Sequence, residues 1–134
     1  MLATLQKFLY HFLLDAGISG VYNEIYSSVP ERPPFPHIRI GDMSVEPYYT
    51  NKKRGMKAKA VIEVYSLHYG NSECLNIMQE ILDAIRRADS HFIRRHYEIN
   101  IEWMNAVRMD VSENVKQKSR CWAGKIALAF IATE

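Results

Sequence analysis

Five histidines, two cysteines and fifteen carboxylates are the raw material for chemistry in this chain of 134 residues. The histidines are His11, His37, His68, His91 and His96. His91 and His96 stand five apart, which takes them off a shared helix face, so they do not read as a metal pair. Asp89-Ser90-His91 contains triad residue types, but triad members meet in space and are not neighbours in sequence; the trio reads as a helix end and turn. Glu98 and Glu102 fall on one side of an alternating segment and read as a solvated face, since no second carboxylate cluster backs a general acid and base. Cys74 and Cys121 form no CxxC pair. Both sit among apolar neighbours and read as buried small hydrophobes in a reducing compartment. No phosphate-cradling glycine loop, HExxH or GxSxG pattern occurs. The expectation is a chain with no catalytic residues, no metal site and no cofactor.

Binding surfaces offer more. Arg86-Arg87 and Arg94-Arg95, with Phe92 and Tyr97 nearby, combine cations with stacking rings, as single-strand nucleic-acid sites do. The plainer reading is a solvated helix end. A second group joins Tyr48 and Tyr49 to Lys52, Lys53 and Arg54 in a turn-rich break between strands. Tyr and Arg are favoured at interface cores. A third candidate is the stretch Ser27 to Pro36, with Pro30, Pro33, Pro34 and Pro36. Proline fixes φ and lacks a donor, so this is a stiff extended loop that loses little entropy on docking. Pro33, Pro34, Tyr48, Tyr49, Lys52, Lys53 and Arg54 are therefore the expected contacts to other protein copies or partners.

The composition is that of an ordinary globular protein, 48% hydrophobic and 24% charged, sized for one domain over residues 1–134. A net charge of +2 is small for a non-specific nucleic-acid binder. The N-terminus has no basic region followed by a small-x-small cleavage site, so no secretory signal is expected. The longest apolar run, Ile126 to Ala132, is far below the roughly 20 residues of a membrane span, and a soluble chain is expected.

The elements that must carry these residues follow from periodicity. Leu2, Leu5, Phe8, Leu9, Phe12 and Leu13 repeat at helical spacing, with stop signals at Gly17 and Gly20. His37-Ile38-Arg39-Ile40 alternates and predicts a strand ending at Gly41, with Ser44 to Tyr48 extended beyond a turn. Met56, Ala58, Ala60, Ile62 and Val64 mark one strand face; Lys57, Lys59, Val61, Glu63 and Tyr65 mark the other. Ser72 to Ala88 is the clearest helix, with Leu75, Met78, Leu82 and Ile85 in register, Asn71 or Ser72 as cap, and Arg86 and Arg87 against the macrodipole. Tyr97 to Met109 alternates, Asp110 to Lys118 reads as a polar connection, and Ser119 to Thr133 as a final strand paired with its predecessor. The predicted order is αββαββ: an α+β two-layer sandwich, a mainly antiparallel four-stranded sheet with both helices on one face.

The same motifs in the same order resemble the DUF3168 family of tail-completion proteins, which includes tail terminators of long-tailed phages and of gene transfer agents. The resemblance runs through the helix Leu5–Leu14, Gly20-Val21-Tyr22-Asn23 and Val29-Pro30. It continues in Phe35-Pro36-His37-Ile38-Arg39-Ile40-Gly41, Val61-Ile62-Glu63-Val64-Tyr65-Ser66, the helix Glu73–Ile85 and the closing stretch Gly124 to Glu134. It spans nearly the whole chain, and the weight lies in the shared order, since each motif alone is common. The link Glu24 to Ser28 is longer than the family's, and Tyr65 stands where tryptophan is usual.

The resemblance implies a structural, non-enzymatic virion or prophage protein. Its subunits would form a ring, a hexamer in the family, that caps the tail tube at the head–tail junction. The cap ends polymerisation and offers a surface to the head connector. The implied partners are copies of itself, the tail tube protein and the connector or stopper protein. DNA would pass through the lumen without specific binding and no membrane would be involved. Assembly in the host cytoplasm and residence in the virion tail follow. Two other readings stay open: another head–tail connector or tail component of similar fold, and a small nucleic-acid-binding α+β domain.

Overall fold

The computed structural model describes residues 2–18, 21, 25–26, 35–49, 54–67, 71–87, 98–114 and 117–133. The elements are α1 (Leu2–Ala16), β1 (Ile25–Tyr26), β2 (His37–Tyr49), β3 (Arg54–Ser66), α2 (Ser72–Arg87), β4 (Glu98–Asn114) and β5 (Gln117–Thr133). Pro33, Pro34, Lys52 and Lys53 lie outside the described residues, as do Arg94, Arg95 and His91.

The helix α1 buries Leu5, Leu9 and Leu13, one residue per turn on a single stripe. It stops at Gly17, whose φ of 62° is open to glycine without a Cβ penalty. There the Gly17 N–H donates to the Leu14 carbonyl at 3.2 Å. In α2 the Leu75 N–H donates to the Asn71 carbonyl at 2.9 Å, which makes Asn71 the N-cap. Cys74, Ile77, Met78, Ile81, Leu82, Ala84 and Ile85 are its buried face. Leu75, expected in that face, is exposed: it lies about 100° around the axis from Cys74.

The sheet has five strands in the order β1-β2-β3-β5-β4, not the four expected. The added strand is Ile25–Tyr26, which pairs parallel with Ile38 and Arg39 of β2. Two residues are too few to leave a periodic signal, and they fall in the link where the chain is longer than its resemblance. The other pairings are antiparallel. The sequence-level α+β class and the long β4–β5 hairpin are therefore present, with the order αβββαββ.

Three strand ends differ from the expectation. β2 does not stop at Gly41 but runs on to Tyr49, taking up Gly41 and Asp42 as a bulge between Ile40 and Met43. A Cβ on Gly41 would stand 3.0 Å from the Val61 carbonyl oxygen, so glycine suits the bulge. The break at Thr50–Gly55 shrinks, because Arg54 and Gly55 already pair with Tyr49 and Tyr48. The polar stretch Asp110 to Lys118 is mostly strand: Asp110 pairs with Arg120 and Ser112 with Lys118. Backbone pairing continues here without an apolar pattern to announce it.

Both helices cover one sheet face. On it Ile38, Ile40, Ala58, Ala60, Ile62, Val64, Ile126, Leu128 and Phe130 meet Leu5, Leu9, Leu13, Ile77 and Ile81 in one core. Phe8, Leu9, Phe12 and Ile85 line a small apolar gap with Ile62, Ile99, Leu128 and Phe130, which places α1 and α2 side by side above β3, β5 and the start of β4. Gly124 sets the closest approach. A Cβ there would fall 2.5 Å from Met78 Sδ and 2.8 Å from Cys74 Sγ, so α2 rests directly on the β5 backbone.

Candidate assembly surface

The groups that could do chemistry are used structurally. His37 is buried and ringed by aromatics: it stacks on Tyr65 with centroids 5.1 Å apart and meets Phe35 edge-on at 4.8 Å. His11 is exposed on α1 beside Tyr10. Cys74 and Cys121 are free thiols and both are buried. Cys74 Sγ lies 3.9 Å from the Val64 carbonyl oxygen, and burial pushes its thiol up to about 11. Among the described residues no group of three or more His, Cys, Asp or Glu could hold a metal. Among them, too, no helix is long and apolar enough to cross a membrane.

The sheet face away from the helices carries a ladder of cross-strand ion pairs. Arg39 on β2 donates to Glu63 on β3, and Lys125 on β5 approaches the same carboxylate at 3.9 Å. Lys57 on β3 reaches across β5 to Glu102 on β4 at 2.9 Å. Lys59 stands 3.7 Å from Glu46 on β2. On β5, between these two strands, Ala123, Ala127 and Ala129 alternate onto this face and are buried. The Glu63 hydrogen bond raises Arg39 above its ordinary value, and the Lys57 hydrogen bond lowers Glu102 below the usual carboxylate range. Burial, helped by the nearby Glu63 charge, raises the Tyr65 phenol. Glu102 is thus the salt-bridge partner of Lys57.

Of the expected contact residues, the structure describes three, all at one end of the β2–β3 hairpin. Tyr48 pairs with Gly55 and is half-buried; Tyr49 pairs with Arg54, and both are exposed, Tyr49 to 70%. Alternation puts Tyr48 and Tyr49 on opposite sheet faces, so they form a tip and not a patch. Arg86 and Arg87 are exposed at the end of α2, as a solvated helix end requires.

A larger apolar surface was missed. β4 is an edge strand, and Ile101, Trp103, Met104 and Val107 on it are 40%, 47%, 42% and 48% exposed. The alternation expected to keep Ile101 and Trp103 on one face fails at a bulge. Ile101 pairs with Leu128 and Trp103 with Ala127, so Glu102 is the extra residue and the strand changes parity there. Ile101 and Met104 then share the helix side with Leu128 and Ile126, while Trp103 and Val107 share the open side with Ala127 and Ala123. The adjacent apolar pair Trp103-Met104 was the available signal, since neighbours on a strand cannot both face one core.

The comparisons bear on this surface. No curated protein matches the chain. A chain from the virion of a native gene transfer agent particle is similar in structure, with a TM-score of 0.57, 13% identity, and coverage of 92% of this chain and 91% of that one. At that identity the likeness establishes the fold. The family described as tail completion protein gp17 matches residues 7–117, most of the chain and most of its described elements. The chain belongs to the tail completion protein gp17 family, phage structural proteins of the tail and not enzymes.

Proposed function

We propose that the chain closes into a ring, six-fold as in the family it resembles, that caps the tail tube at the head–tail junction. The cap ends tube growth and presents a surface to the head connector. Subunits meet head to tail, and such an interface gives a ring when the rotation per subunit closes. The capped end then offers no copy of the surface to which tube protein adds. The observation that carries this reading is the exposure of large apolar residues along one sheet edge and at one hairpin tip, in a tail-completion protein. Several large apolar side chains exposed along one strand suit a surface that another protein covers.

Tyr48, Tyr49 and Arg54, with Lys52 and Lys53 in the same hairpin and Pro33 and Pro34 in the proline-rich loop, are the proposed contacts to the tube or to neighbouring subunits. DNA crosses the lumen without being gripped. The small net charge and the paired charges on the open sheet face suit a conduit, since releasing counterions from many phosphates would make binding tight.

Electron microscopy of the purified chain mixed with tail tubes tests this. Rings seated at one end of tubes, with tube growth stopped there, are expected. Tubes that keep elongating with the protein bound along their sides, or with no protein at their ends, would remove the reading.

A further inference from the structure

We propose that β4 is the subunit-joining edge. It seats against the β1–β2 edge and helix α1 of the next copy of this chain, extending the sheet from one subunit to the next. This rests on the ring reading and names the surface that would build it.

Three observations select a second copy in this arrangement. The first is the distribution of the exposed residues. Ile101 and Met104 face the helix side, Trp103 and Val107 the opposite side. A body docking on one sheet face covers only two of them, whereas a strand added beside β4 flanks all four and also takes up the free backbone groups of the edge.

The second is the offset between the layers. The helices rest on β1, β2, β3 and β5. β4 joins the core through Ile99 and Ala106, and between them Ile101 and Met104 stand uncovered. At the far end α1 packs over β1 and β2. The helix layer thus covers β4 only in part, whereas α1 reaches β1 and β2 at the other edge. A copy placed head to tail brings its α1 beside the bare side of β4. A two-fold pairing of β4 with β4 would instead bring two bare strands together and leave the gap twice as wide.

The third is direction. β2, β3, β5 and β4 reverse at each step, and β1 runs with β2, so β4 points opposite to both strands of the far edge. A neighbour in the same orientation therefore meets β4 antiparallel, with its helices on the same side.

The test uses the full chain, wild type and with Trp103→Glu or Val107→Glu, examined by light scattering and by microscopy with tail tubes. Both side chains are solvent-exposed, so circular dichroism should show wild-type secondary structure and a cooperative melt in both variants. Loss of assemblies and of rings in both variants is expected. Rings that persist unchanged in folded variants would overturn this interface and leave the ring reading intact. Wild-type assemblies that grow as open filaments and vanish in the variants would keep the interface and overturn the ring. A third variant, Asn105→Cys, sits at the middle of the exposed stretch. Efficient disulfide-linked dimers from it alone would reveal a two-fold β4 pair and overturn the head-to-tail arrangement; no such dimer above the wild-type background is expected.

Discussion

The Cys74 thiol lies under Val64 and Gly124, and burial raises it from the ordinary 9.0 to about 11. A thiol held neutral in the folded chain but free to ionise in the unfolded one makes stability depend on pH. Below pH 9 both states keep the proton and the contribution is flat. Between pH 9 and about 11 the unfolded chain releases it first, so stability falls as pH rises, by up to about 1.4 kcal/mol per pH unit. Urea unfolding from pH 8 to 11 should show a shallower decline in Cys74→Ala than in wild type. Equal slopes in the two proteins would refute the burial argument. On the other sheet face the nearly buried Glu63 carboxylate has Arg39 and Lys125 close by.

At the scale of elements, the packing of α2 on β5 turns on a missing side chain. A methyl group at Gly124 would lie 2.5 Å from Met78 Sδ and 2.8 Å from Cys74 Sγ. Met78 can swing, but Cys74 Sγ is one bond from Cβ and cannot retreat far. Gly124→Ala should lift α2 and cost about 1–3 kcal/mol, as overpacking does. Chemical denaturation would read this as a lower midpoint with an unchanged slope; a midpoint equal to or above wild type would show that α2 gives way freely. The bulges work in the other direction, re-aiming strands instead of spacing them. Gly41-Asp42 lets β2 continue past its expected end, and Glu102 flips the parity of β4 so that Trp103 leaves the helix side. In a regular strand, with Glu102 paired in the ladder, Trp103 would share a face with Ile101.

For the whole molecule, the paired charges matter as a set. Arg39, Lys57, Lys59 and Lys125 all stand beside carboxylates on one sheet face, and the net charge is only +2. A protein so arranged neutralises few phosphates. Titration with duplex DNA should give weak binding, with log K falling against log salt at a slope no steeper than about −2. A slope of about −6 with tight binding would favour the nucleic-acid-binding reading and count against a passive conduit.

Much of this architecture is readable from the chain alone. Leu5, Leu9 and Leu13 announce α1, Met78, Leu82 and Ile85 announce α2, and alternation through Ala58 to Val64 announces β3, because periodic burial is a local property. The buried state of both cysteines and the tail-completion family were legible too, the latter from motif order. Other features depend on contacts between distant segments. The strand Ile25–Tyr26 exists only because β2 offers it a partner, and the β4–β5 hairpin extends through polar residues because backbone pairing ignores side-chain pattern. The exposed edge is the clearest case. Ile101, Trp103, Met104 and Val107 look like core residues in sequence, since apolarity says that a side chain should leave water but not what will cover it. Only the tertiary arrangement, with a helix layer that covers β4 in part and a bulge that re-aims it, decided that other residues fill the core and that these four remain outside.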